Sequence, residues 1–134
     1  MRVLIATDGS ECSFEAARKF FRLVRDTHHE ITVLSVVPLT PLGRAVEYLE
    51  IEGEREAMAA LNRVRSMFGE AGISVETCVK QGVPSETIAA TARDGAYDLI
   101  VIGRRGRGGF RESLLGRVGK RLLRNPPCSI LVVR

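Results

Sequence analysis

The chain has 134 residues, 45% of them hydrophobic and 27% charged, with a formal net charge of +4. That length makes one domain, residues 1–134, which can bury about two thirds of the surface its unfolded form exposes and needs no disulfide or metal to fold. No apolar run approaches the roughly 20 residues that cross a bilayer, and Met1 leads straight into a strand pattern without the length or cleavage site of a secretory leader, so a cytoplasmic protein is expected.

Residues 2–7 read as a short apolar strand, with Asp8-Gly9-Ser10 as the turn after it. Phe14, Ala17, Phe21 and Val24, joined by Phe20 and Leu23, recur at helical spacing. Glu11 and Glu15 begin that helix and Arg22 and Arg25 end it, as the dipole favours. Residues 31–37 form a nearly continuous apolar run, typical of a parallel strand buried on both faces, and Pro38 and Pro41 end it. A long helical pattern spans 46–68, with Ala57, Leu61, Val64 and Phe68 on one face and Gly72 where a C-terminal cap belongs. Residues 73–80 alternate, as expected of a strand near the sheet edge.

Gly82-Val83-Pro84 turns the chain into a third helix over 84–93, with Pro84 at its first position, where a missing N–H costs nothing, and Gly95 as its cap. Residues 98–102 form the fourth strand. Gly103-Arg104-Arg105-Gly106-Arg107-Gly108-Gly109 follows, then a helix marked by Leu115, Val118 and Leu122 that Pro126-Pro127 stops. Ser129–Val133 is the fifth strand. Strand, glycine-rich loop and helix N-terminus together make an arrangement in which backbone N–H groups converge on an anion, and glycines permit the positive φ and close approach this requires.

Charge is concentrated in the same stretch. From Gly103 to Arg134 there are nine basic residues and one acid, Glu112, a net of +8, against −4 for residues 1–102. A phosphate-rich partner fits this balance, but Phe110 is the only aromatic ring in the stretch. With no stacking platform, nucleic acid is the less favoured reading. Cys12, Cys78 and Cys128 are odd in number and unpatterned, which argues against a disulfide framework or a zinc site; they read as small apolar fillers. His28 and His29 read as surface, and Met58 and Met67 as core.

Five strands alternating with four helices make an α/β protein: a flavodoxin-like, Rossmann-like three-layer sandwich with a parallel sheet of order 3-2-1-4-5. In that order strands 1 and 4 are neighbours at the topological switch point, where such sheets bind ligands. The Asp8 turn and the glycine loop, nearly a hundred residues apart, then meet at one place.

The chain resembles the universal stress protein family, in its ATP-binding branch. Gly103, Gly106 and Gly116 stand at that branch's Gly-x2-Gly-x9-Gly spacing, with Ala6-Thr7-Asp8-Gly9-Ser10 after strand 1 and Pro127-Cys128-Ser129-Ile130-Leu131-Val132-Val133 at the close. The resemblance implies that Ala6, Thr7 and Asp8 meet the adenosine, the carboxylate accepting from ribose hydroxyls. It implies that the backbone of Val36 pairs with the adenine edge and that Ile102 packs at the entrance to the loop. The amides of Gly103, Arg104, Arg105, Gly106, Arg107, Gly108 and Gly109, with those of Gly116, Arg117 and Val118, correspond to the phosphate cradle. ATP or AMP is the implied ligand, with Mg²⁺ held through the phosphates. The family also implies a homodimer paired through strand 129–133, whose edge would otherwise be exposed, and an unidentified protein partner.

One residue departs from that pattern: Arg117 stands where the branch has a small hydroxyl residue. Its guanidinium either pairs a phosphate in a charge-assisted contact or fills the phosphate space, and both readings stay open here. Asp8 has a second reading as the cap of the first helix, and Gly116 as a small residue that lets helix and sheet pack closely. No Walker A loop, dinucleotide fingerprint or nucleophile–histidine pair is present. The expectation is a nucleotide-dependent stress-response module rather than an enzyme, with at most very slow ATP hydrolysis. The alternatives are a stress-family dimer without nucleotide, acting as an interaction module, and a basic surface for nucleic acid.

Overall fold

The computed structural model describes residues 1–39, 45–104 and 116–134. Strands and helices alternate: β1 (Arg2–Ala6), α1 (Glu11–Val24), β2 (Glu30–Val37), α2 (Ala45–Glu70), β3 (Glu76–Gln81), α3 (Pro84–Asp94), β4 (Leu99–Gly103), α4 (Arg117–Arg124) and β5 (Ser129–Val133). All pairings are parallel, as the alternation of elements requires, and the order is the expected β3-β2-β1-β4-β5.

The two faces of the sheet take alternate residues of each strand. Val3, Ile5, Val33 and Val101 pack with Ala17, Phe20 and Val24 of α1 and Leu61, Val64 and Phe68 of α2. Leu4, Leu34, Ile100 and Ile102 pack with Ile88 and Ala92 of α3 and Leu122 of α4. Phe21 meets Phe68 edge to face, with ring centroids 5.2 Å apart. The buried stripe of α1 is Ser13, Ala16, Ala17, Phe20 and Val24. Leu23, expected on the apolar face, is one residue step off this stripe and 72% exposed. Met58 lies one step off Ala57 and is 46% exposed, so it is not core. His28 is exposed as expected, whereas His29 is half-buried beside Thr27. None of the three cysteines is in a disulfide, and all are half-buried.

β3 begins at Glu76, three residues later than its pattern suggests, because the residues before it finish the preceding helix. Gly72 takes φ 77°, Gly72 N–H reaches Gly69 O at 2.9 Å and Ile73 N–H reaches Phe68 O at 3.0 Å, the paired bonds of a left-handed C-terminal cap. The same motif closes α3, with Ala96 N–H on Arg93 O and Tyr97 N–H on Ala92 O. Its left-handed residue is Ala96 (φ 51°), not Gly95. Gly95 has another duty: a Cβ there would lie 2.5 Å from the Tyr97 ring, which Arg2 covers at 4.6 Å and whose hydroxyl meets Thr32 Oγ1 at 2.8 Å. A left-handed non-glycine residue costs about 1–2 kcal/mol, and glycine's extra unfolded-state entropy returns roughly 0.5–1 of that. Ala96→Gly is therefore expected to stabilise the fold by roughly 0.5–1 kcal/mol, a rise of about 2–4 °C in the thermal midpoint.

β5 pairs with β4 alone among the described strands, which leaves its outer side as a sheet edge. Ile130 to Val133 are half-buried there. No helix among the described residues is long and apolar enough to cross a membrane.

Candidate functional site

β1 and β4 are neighbours (Val3↔Leu99, Ile5↔Val101), and the chain leaves them in opposite directions along the sheet. Their carboxyl ends open into a cavity of about 990 Å³, at the upper end of the size range for small-molecule sites. Ala6, Leu34, Val36 and Ile102 form an apolar floor; the turn after β1 and the start of α4 form two of the walls.

Hydrogen bonds hold the β1 turn rigidly. Thr7 N–H donates to Leu34 O at 2.9 Å. The Thr7 hydroxyl accepts from Gly9 N–H at 3.2 Å and lies 2.9 Å from Ser13 Oγ, which donates to Ser10 O. Because the Ser13 proton is committed, Thr7 is the donor in the Thr7–Ser13 pair. Ser10 caps α1 by accepting from Ser13 N–H at 3.1 Å. The helix cap is thus Ser10 rather than Asp8. Asp8 Oδ1 accepts from Ser10 N–H at 2.9 Å, Gly9 supplies the positive φ of 81° for the turn, and Asp8 lines the cavity. Thr7 therefore acts through its neighbours, fixing where Asp8 stands.

Val36 owes its place to uneven pairing. β1 stops opposite β2 at Ala6↔Leu34, while β2 continues beside β3 to Val37↔Gln81. On its β1 side, Val36 therefore extends past the ladder into the cavity.

Gly103 and Gly116 serve differently from a loop that wraps an anion with positive φ. Gly103 is the last residue of β4. A Cβ on it would lie 3.1 Å from Cys12 O and 3.2 Å from Cys12 C and Ser13 Cα, so the missing side chain lets the first turn of α1 lie against β4. Gly116 is the N-cap of α4 at φ −64°, ψ 165°, a conformation open to most residues. Its N–H donates to Arg104 O at 2.7 Å, and Arg104 N–H donates to Val133 O at 2.9 Å. Both amides are thereby engaged by protein carbonyls and are not open cradle donors. The first intrahelical bond runs from Lys120 N–H to Gly116 O. The amides of Arg117, Val118 and Gly119 thus have no acceptor within the helix, at the positive end of its dipole. Arg105, Gly106, Arg107, Gly108 and Gly109 lie outside the described residues.

Of the residues expected at the site, Ala6, Thr7, Asp8, Val36, Ile102, Gly103, Gly116, Arg117 and Val118 all line this one cavity. Arg104 joins β5 to α4 through its backbone instead. Arg117 is exposed in the cavity wall.

The wall also contains residues that pattern reading passed over. Pro84 and Ser85 come from the start of α3, and Gly53 and Glu56 from α2. Gly53 did carry a signal: a glycine inside a helix costs about 1 kcal/mol against alanine and so suggests a packing reason. A Cβ there would lie 2.8 Å from Val37 Cγ1, so Gly53 lets α2 close over the end of β2. Beyond the rim, Arg63 of α2 pairs with both oxygens of Glu11, at 2.7 and 3.2 Å, and covers the Phe14 ring at 3.7 Å. The Arg63 hydrogen bond holds the Glu11 carboxyl below its ordinary range. Whatever this exposed clasp contributes is complete above that range and lost as pH falls below it, through the lowered pKa. Among the described residues no group of three His, Cys, Asp or Glu side chains is placed to hold a metal.

Comparison with known proteins agrees with this architecture. The model of the universal stress protein family matches residues 1–134. The universal stress protein MJ0531 of Methanocaldococcus jannaschii is 34% identical over 138 residues, covering 99% of this chain and 81% of the relative. In fold, the chain is similar to UspA of Lactobacillus plantarum, with a TM-score of 0.86 at 22% identity, covering 100% of this chain and 97% of that one. It is also similar to a universal stress protein solved in complex with cAMP, with a TM-score of 0.78 at 23% identity and coverage of 100% and 97%. The whole-length family match, together with the sheet order and the identity to MJ0531, shows that this chain belongs to the universal stress protein family.

Proposed function

We propose that the chain is an ATP-binding universal stress protein, a nucleotide-dependent regulatory module with little or no catalysis. The observation that carries this reading is the meeting, in one cavity, of the Asp8 turn with the start of α4, whose first amides lack helical acceptors and whose Arg117 stands in the wall. Adenosine lies over Ala6, Val36 and Ile102 with its ribose at Asp8, and the phosphates meet Arg117 and the amides of α4. A structural neighbour in complex with cAMP supports an adenine nucleotide as the ligand. Mg²⁺ rides on the phosphates, since the described residues supply no carboxylate cage.

Occupancy neutralises part of the basic face around α4 and so changes the surface shown to a protein partner. The edge of β5 suits pairing with a second copy across a two-fold axis, and sedimentation at micromolar concentration is expected to give a dimer; a monomer there would refute the pairing.

The nucleotide reading is tested by the thermal midpoint of the purified chain with millimolar Mg-ATP, with GTP and pyrophosphate as controls. A ligand at about 100 times its dissociation constant stabilises by roughly 2.7 kcal/mol, several degrees for a domain of this size. A rise specific to ATP is expected. An equal rise with every polyanion would reduce the site to a basic patch. No rise, with carried-over nucleotide excluded, would favour an interaction module that binds no nucleotide.

A further inference from the structure

α4 carries its charge in a pattern that an isolated helix resists. Arg117, Lys120, Arg121 and Arg124 stand at i, i+3, i+4 and i+7 and form one stripe about 10 Å long. Every i,i+3 and i,i+4 pair within that stripe is like-charged and repulsive. Arg117 and Lys120 also occupy the start of the helix, where the dipole favours anions, yet its first turn has no acid and its N-cap glycine offers no side-chain acceptor. Other helices are arranged the opposite way: Arg18 pairs with Glu15 on α1 and Arg55 with Glu52 on α2. Among the described residues no carboxylate pairs with any of the four α4 cations.

The stripe is not the packing flank of the helix, because Gly119 and Leu122 are the residues buried against the fold. All four cations nevertheless line the cavity, whose carboxylates among the described residues are Asp8 and Glu56. A local arrangement that opposes its own helix, continuous with a cavity, is the kind of inconsistency expected where a ligand supplies the missing charge.

We propose that the α4 stripe binds a linear polyphosphate chain that runs from the helix N-terminus along the flank, either as the extended tail of a nucleotide or as free inorganic polyphosphate. The proposal rests on the nucleotide reading only for the placement of the first phosphates beside Arg117. A row of cations one helix flank wide matches a row of phosphates. No aromatic ring among the described residues lines the cavity, so the bases of a single-stranded nucleic acid have nothing to stack on.

The test compares the full chain with its Lys120→Ala/Arg121→Ala variant, both positions being exposed. Thermal midpoints and dissociation constants are measured for AMP, ATP, adenosine 5′-tetraphosphate, inorganic polyphosphate and a single-stranded oligonucleotide. Without ligand at low salt, the variant is expected to melt no lower than the wild type, because repulsion has been removed. In the wild type, the tetraphosphate is expected to bind about ten-fold more tightly than ATP, as one or two added charge-assisted contacts would give. That preference, and any response to inorganic polyphosphate, is expected to be lost in the variant. Equal binding of ATP and tetraphosphate with no response to polyphosphate would overturn the proposal. So would a variant that weakens AMP as much as the tetraphosphate, or an oligonucleotide that outcompetes polyphosphate of equal charge. If no adenine nucleotide binds but polyphosphate binds through Lys120 and Arg121, the stripe stands and the nucleotide reading falls. Binding of the free chain and of the nucleotide tail are thereby told apart.

Discussion

Replacing Gly103 by valine is expected to destabilise the protein by about 3 kcal/mol, the upper range for overpacking a tight contact. At alanine, a Cβ would already lie 3.1 Å from Cys12 O and 3.2 Å from Ser13 Cα, so backbone on one side or the other must give by a few tenths of an ångström. That backbone is the first turn of α1, pinned by Ser10, Ser13 and Thr7, and has little slack. Valine adds two further carbons to the same space. Against a total stability of about 5–15 kcal/mol the loss is large, and the thermal midpoint is expected to fall by about 10 °C. Gly103→Ala, at about 1 kcal/mol, is the milder companion. Denaturant unfolding without nucleotide is the decisive measurement. If both variants unfold like the wild type, Gly103 has no packing role, and its place in the glycine pattern must be explained by ligand contact.

At Arg117, substitution is expected to act on binding and leave stability nearly unchanged, since the side chain is exposed. A hydrogen bond to a charged group contributes about 1.5–3 kcal/mol, so Arg117→Ser is expected to weaken Mg-ATP binding by about ten-fold. Arg117→Glu adds repulsion at the helix N-terminus and is expected to weaken it by about a hundred-fold. Titration calorimetry with Mg-ATP on the wild type and both variants gives the comparison directly. Tighter ATP binding in Arg117→Ser would mean that the guanidinium obstructs the cradle.

Much of the architecture was written in local pattern. The continuous apolar run over 31–37, the alternation near Glu76 and the helical stripe Ala57, Leu61, Val64 and Phe68 each reflect how a single element meets solvent and core. Right-handed crossovers then leave few strand orders, and 3-2-1-4-5 was the best fit among them. That order in turn placed the Asp8 turn beside the end of β4. The sequence by itself therefore determined the fold, the family and which distant segments line one cavity.

What individual residues do there depended on contacts between distant segments, which no local period encodes. Gly103 and Gly116 look alike in a motif, yet one makes room for the α1 backbone and the other starts a helix in an ordinary conformation. Gly95 resembles a cap, but the Tyr97 ring claims its space and Ala96 takes the left-handed turn. Thr7 serves Ser13 and Gly9. Gly53 and Glu56 enter the cavity wall because α2 closes over the end of β2. Steric approach and hydrogen-bond commitment belong to pairs of elements, so only the packed tertiary structure could decide them.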